Sequence, residues 1–140
     1  MGQVLRRQFL VAAGTLLAAP LVVEAQPRPA VPRIGFLSLD LNGNPRGADA
    51  FRTGLREVGY VEGRTIVVEY RDARGQLDRI PELAAELVAL RVDVIVAPNV
   101  LAVRAASRAT RTIPIVFAGL TDPVADGFVA SLARPGGNVT

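Results

Sequence analysis

The chain has 140 residues, 50% hydrophobic and 21% charged, with a formal net charge of +3, which by length suits one ordinary globular domain. It has no cysteine, histidine, tryptophan or lysine; all sixteen basic residues are arginine. Disulfides, thiolate nucleophiles, Cys/His zinc sites, Ser-His-Asp triads, Schiff-base lysines and the P-loop lysine are therefore excluded, and the remaining carboxylates, hydroxyls, amides and arginines suit ligand binding.

Residues 1–25 read as an export signal. Arg6-Arg7-Gln8-Phe9-Leu10 opens an apolar run over 10–23, and Val23-Glu24-Ala25 offers a cleavage site after Ala25. The run is shorter than the roughly 20 apolar residues a membrane-spanning helix needs, and it contains Pro20. Arg6, Arg7, Phe9 and Leu10 resemble a twin-arginine signal, although Leu5 stands where Ser or Thr is common. An ordinary secretory signal and an uncleaved anchor are the alternatives. No cysteine follows the run, which excludes a lipidated anchor. Cleavage after Ala25 lowers the net charge by one unit. Residues 26–32, with Pro27, Pro29 and Pro32, form a proline-rich leader into a domain over 33–140.

Strands and helices then alternate. Residues 33–39 (RIGFLSL) read as a strand and 40–44 (DLNGN) as a turn. A helix is expected from Pro45 to about Val58, capped by Asn44, with Phe51, Leu55 and Val58 as its buried stripe. A second strand covers 65–70, followed by a polar loop. Asp78 is expected to cap a helix reaching about Leu90, in which Ile80, Leu83, Ala84, Leu87 and Val88 carry the clearest helical period of the chain. A third strand covers 92–97. Asn99 caps a helix over 100–110, and a fourth strand covers 113–117, with Pro114 near its start. Asp122 is expected to cap a fourth helix from Pro123 to about Leu132. Asn138-Val139-Thr140 opens a fifth strand.

Four strand–helix units in series imply an α/β fold with a parallel, doubly wound sheet, and near-continuous apolar strands fit a sheet covered on both faces. The expected strand order is 2-1-3-4, with the fifth strand beside the fourth. Ligands of such sheets sit beyond the carboxyl ends of the strands. The candidate ligand-binding residues there are Ser38, Asn99, Thr121 and Asp122, with Asp40 and Asn42 read as turn residues. Helix starts near Pro45, Val100 and Pro123 favour a carboxylate or phosphate, and Asp122 could neutralise an ammonium. Asn44, Asn99 and Asp122 serve equally well as plain helix caps.

Other functions of this fold class fit poorly. The first strand–helix loop lacks Gly-x-Gly-x-x-Gly, against a dinucleotide site. A phosphoacceptor domain needs an aspartate where this chain has Ala97-Pro98-Asn99, and a lysine. Nothing gives Asp40 and Asp122 a role in proton transfer, so no enzymatic activity, catalytic residue, metal or cofactor is expected. The sequence pI of about 10.5 records arginine usage. Arginines and acids alternate and only 5% of residues are aromatic, so nucleic acid is not an expected partner.

Several ordered segments carry a resemblance: GFLS at 35–38, FRTGLREVGYVEG at 51–63, Ile66-x-x-Glu69-Tyr70-Arg71, Gly75-Gln76-x-Asp78-Arg79-x-Pro81, DVIVA at 93–97, IPIVF at 113–117, and Leu132-x-Arg134-Pro135-Gly136-Gly137-Asn138-Val139-Thr140. The chain resembles the substrate-binding proteins of ABC transporters, in the branch typified by tryptophan- and phenylalanine-binding members. The resemblance implies a type I periplasmic binding protein, in which two hinged lobes close on a small polar solute, an amino acid among the options, and present it to a permease in the inner membrane. Its partners would be the solute, that permease and, through the signal, the export machinery. It also implies a periplasmic location and a chain that continues through a hinge into a second lobe beyond Thr140. Related sequences often carry an aromatic after the second strand, where this chain has Asp72-Ala73; this argues against an aromatic amino acid if that position packs on the ligand. A sensing lobe without transport, or a truncated product without activity of its own, is the alternative.

Overall fold

The computed structural model describes residues 30–119 and 122–140. The export-signal residues Arg6, Arg7, Phe9, Leu10 and Ala25, the start of the leader, and Thr121 lie outside the described residues. In chain order the elements are β1 (Arg33–Ser38), α1 (Arg46–Glu57), β2 (Val67–Asp72), a 3-10 turn (Leu77–Arg79), α2 (Ile80–Ala89), β3 (Val94–Ala97), α3 (Val100–Ala109) and β4 (Ile115–Phe117). All pairings between the strands are parallel, in the expected order β2-β1-β3-β4.

The register divides the core in two, because successive side chains of a strand point to opposite faces. Leu37, Ile95 and Ile115 face α2 and α3, where they pack with Leu83, Leu87 and Val103 in the larger cluster. Phe36 and Val96 face the other way and pack with Ala48 of α1, flanked by Phe51 and Tyr70. The Phe36 ring lies 5.2 Å from that of Phe51 and 5.7 Å from that of Tyr70, within the range of favourable aromatic pairs. Gly35 faces α2, and a methyl group there would stand 2.9 Å from both δ-carbons of Leu87. The absence of a side chain thus lets helix and strand approach closely.

The helix periods hold in α2, where Ile80, Leu83, Ala84 and Leu87 are buried. Helix α1 departs from expectation at both ends. Pro45, not Asn44, is its N-cap, and no side chain caps it. The preceding turn is closed on itself instead: Asp40 Oδ1 accepts from the backbone N–H groups of Asn42 (3.1 Å) and Gly43 (2.8 Å), and the Asn44 N–H donates to the Asp40 carbonyl (3.1 Å). At the far end the helix stops at Glu57, so Val58 leaves the helical face and is 71% exposed. The inner stripe runs Ala48, Phe51, Leu55, one turn earlier than expected.

Strand β2 begins two residues late and continues through Asp72. Thr65 is held in a turn, its Oγ1 accepting from the Val61 N–H at 2.8 Å. As the edge strand, β2 is half-buried along its length and tolerates Arg71 and Asp72. Asp78 does not cap α2; it lies inside the 3-10 turn, and Arg79 is the N-cap without a side-chain bond. Strands β3 and β4 are each two residues shorter at the start than expected.

The expected fourth helix from Pro123 is not formed. Asp122 Oδ1 accepts from the Ala125 N–H (2.9 Å) and the Asp126 N–H reaches the Asp122 carbonyl (3.0 Å), which makes one turn. Gly127 then takes a left-handed conformation (φ 76°) and ends it. Leu132, at the predicted end of that helix, is 75% exposed. Beyond it, Val139 bridges to Ile115 in parallel, as the expected fifth strand would. Asn138 secures this return, its Nδ2 donating to the carbonyls of Ile113 (2.8 Å) and Thr110 (3.2 Å).

Candidate functional site

Beyond the carboxyl ends of β1 and β3 lies a cavity of about 260 Å³. Its polar lining comes from Ser38, Asp40, Asn44 and Asn99, Gly47 brings backbone to its edge, and Pro98 also lines it. Phe36, Leu39, Leu41 and Ala48 supply apolar walls. A small cavity with few polar groups and apolar walls can orient a small molecule. Of the residues expected at a site, the fold brings Ser38 and Asn99 together here. Asp122 does not line this cavity; it is exposed and engaged in its own turn. Asp40 and Asp122 are therefore not paired in it.

The strand ends explain each placement. Ser38 is the last residue of β1 and only 5% exposed. Its carbonyl accepts from the Ala73 N–H at 3.0 Å, while its hydroxyl has no partner among the described residues. That hydroxyl is not sealed off, since no fully buried side-chain N or O among the described residues lacks a partner; it keeps access to the cavity it lines. Asn99 is extended (φ −155°, ψ 164°), and its Oδ1 accepts from the Ala102 N–H at 2.9 Å, capping α3. Its amide nitrogen remains for other bonds.

Sequence reasoning missed three features. The register sets Asp72 beside Ser38, and Asp72 Oδ1 accepts from the N–H groups of Leu41 and Arg74, both at 3.1 Å. It thereby anchors the loop that forms one wall. Strand pairing decides this, and no local signal announces it. Ala73 is fully buried in the larger core cluster and does not line the cavity. Finally, Phe36 is braced from below. Arg52 Nε donates to the Tyr70 oxygen (3.1 Å), the Tyr70 hydroxyl donates to Glu62 Oε1 (3.0 Å), and the guanidinium lies 4.7 Å from the Tyr70 ring centre. Burial, aided by Glu62, raises the Tyr70 pKa, while the hydrogen bond to Tyr70 raises that of Arg52.

A more open cavity of about 610 Å³ adjoins at Leu41, beyond the end of β2. Arg71 lines it but is committed, its Nε 2.7 Å from Glu86 Oε2. A groove of about 450 Å³ runs along the outer faces of α2 and α3 and contains no strand residue. Among the described residues no cluster of three acidic side chains is placed to hold a metal ion.

A parallel sheet in this order, with a partly polar cavity past its strand ends, is the arrangement in which open α/β sheets bind ligands. Residues 42–140, well over half the chain, match the family described as ABC transporter substrate binding protein, and the chain belongs to that family. It is 36% identical over 90 residues to the tyrosine-binding protein of Clostridioides difficile (strain R20291), covering 64% of this chain and 26% of that one. The fold is similar to the ligand-free, open structure of a substrate-binding protein with adhesive properties from Clostridium difficile. There the TM-score is 0.69 and the identity 32%, over 79% of this chain and 38% of the other. It is also similar to a Streptococcus pneumonia protein solved in complex with L-Trp, with a TM-score of 0.72 and 27% identity over 78% of this chain and 37% of the other. The chain thus spans between about a quarter and two fifths of the length of these relatives.

Proposed function

We propose that the chain supplies a ligand-binding lobe of the solute-binding component of an ABC importer, and that the solute is a small polar molecule of the amino-acid class. The observation that carries this reading is the cavity beyond β1 and β3, where the accessible hydroxyl of the nearly buried Ser38, without a partner among the described residues, and the Asn99 amide meet apolar walls. Family membership and the amino-acid relatives support it. In this reading residues 1–25 direct export to the periplasm, 26–32 tether the lobe, and 33–140 form it. A second lobe closes over the solute, hinged closure being a common way for binding proteins to enclose ligand, and a membrane permease receives it. Thr121 and Asp122 belong to the lip that such closure engages.

The test is a thermal-shift screen of the proteinogenic L-amino acids, followed by calorimetric titration of those that stabilise the chain. Stabilisation by at least one, weakened by Ser38→Ala, is the expected result. A chain that no amino acid stabilises refutes the reading.

A further inference from the structure

We propose that the outer face of α2 and α3 is a self-association surface, on which a second copy of this chain docks about a two-fold axis, α2 of each copy lying on α3 of the other. The two helices pack against the same face of the sheet, and each leads from one strand of a parallel set to the next, so they run in the same direction. Between their outer faces lies the groove of about 450 Å³. Pro81 and Ala85 of α2 and Ala105 and Ala109 of α3 line it with small side chains, and Leu77 and Leu101 add large apolar ones that are 54% and 41% exposed. A contiguous apolar surface with a polar rim is characteristic of an interaction site.

The charges on the rim select the occupant. Asp78, in the turn that leads into α2, and Glu82, in its first turn, are exposed, and so are Arg104 and Arg108 of α3. None of these four forms an ion pair among the described residues, whereas Glu86 of α2 is already held by Arg71 and Arg79 lines the separate cavity beyond β2. The groove is thus flanked by acids on one helix and by arginines on the other. An anionic surface or an acidic peptide laid across it would meet Asp78 and Glu82 unfavourably, and a basic partner would meet Arg104 and Arg108. A second copy carries both signs in matching places. A two-fold axis parallel to the helices sets the acidic helix of each copy against the basic helix of its partner, a self-complementary contact. Glu82 and Arg104 both sit in the first half of their helices, so this pairing needs little axial shift. An axis across the helices would instead set acidic helix on acidic helix and basic on basic. Exposed ion pairs add little affinity, so the apolar groove supplies the attraction and the charges fix the register.

The test is sedimentation velocity on the full chain across the micromolar to millimolar range, with Glu82→Arg, Arg104→Glu and the double variant. The unaltered chain is expected to move toward twice the monomer mass as its concentration rises. Each single variant opposes like charges twice in a symmetric dimer and should weaken association about tenfold or more. The double variant exchanges the two signs and should restore it. Mixing the two single variants should also restore it, because both contacts of the mixed dimer then join opposite charges. Both positions are exposed, and circular dichroism checks the fold of each variant. Glu82→Gln and Arg104→Gln, which remove a charge without reversing it, should weaken association less and serve where a reversal unfolds the chain. A chain that stays monomeric throughout overturns the inference. So does association that both single variants leave unchanged, as contact through the apolar run over 10–23 would give. A mixture of the single variants that stays monomeric overturns the pairing of α2 on α3, and the proposal with it.

Discussion

Replacing Gly35 by alanine tests a close helix–strand approach. The added methyl would meet Leu87 Cδ1 and Cδ2 at 2.9 Å and Cγ at 3.3 Å. Carbon atoms pack best at about 3.5–4.0 Å, so one partner must retreat by roughly 0.5–1 Å. Leu87 is fully buried and cannot swing aside into solvent. Overpacking of this kind costs about 1–3 kcal/mol. Gly35 does not have a positive φ, so alanine brings no backbone strain and instead lowers the entropy of the unfolded chain by about 0.4–1 kcal/mol. The net expectation is a loss of about 1–2 kcal/mol. Urea unfolding followed by circular dichroism should show a lower midpoint at unchanged slope. Leu87→Ala alone should cost about 2–5 kcal/mol, and the double variant should cost clearly less than the sum, because the shortened side chain makes room for the new methyl. A neutral Gly35→Ala variant, or strict additivity with Leu87→Ala, would refute the reasoning.

Asn99→Ala should lower stability by about 1 kcal/mol through loss of the α3 cap, while Asn99→Asp, which keeps the accepting oxygen, should not; thermal unfolding separates the two. Burial raises the Tyr70 pKa above its ordinary 10.0, so its contribution to stability is intact below pH 10 and is lost as pH climbs through the raised folded value. With no lysine or cysteine titrating nearby, an alkaline stability profile should show this directly, and Tyr70→Phe should flatten it; an unchanged alkaline limb would contradict the assignment. Replacing Arg6 and Arg7 by lysine should trap the precursor inside the cell, as a twin-arginine route requires, and normal export of that variant would point to the general secretory route.

The alternation of strands and helices was legible because its signals are local. Apolar runs such as VDVIVA, a clear period in 80–88 and turn residues at each break act within a few positions of one another. Element ends were less legible. Asp122-Pro123 starts a single turn as readily as a long helix, and Gly127 decided between them. Val58 kept the helical spacing of Phe51 and Leu55 yet lay past the end of α1, so its burial could not be read from spacing.

Ser38 and Asn99 could be placed at one cavity because a general rule points to the ends of parallel strands, and the strands themselves were readable. The same rule did not foresee that Asp122 lies outside that cavity, since adjacency to a strand end does not say which cavity a side chain joins.

From the sequence alone come the parallel α/β architecture, the chemistry excluded by the missing His, Cys and Lys, and the cap at Asn99, because each depends on residue type and near neighbours. Only the tertiary structure decided that the nearly buried Ser38 opens its hydroxyl on the cavity, that Asp72 anchors the loop wall beside it, and that Asp40 shares its cavity with an uncapped helix start. Those facts depend on the register of β1 with β2 and β3, which joins segments distant in the chain through backbone hydrogen bonds common to every residue.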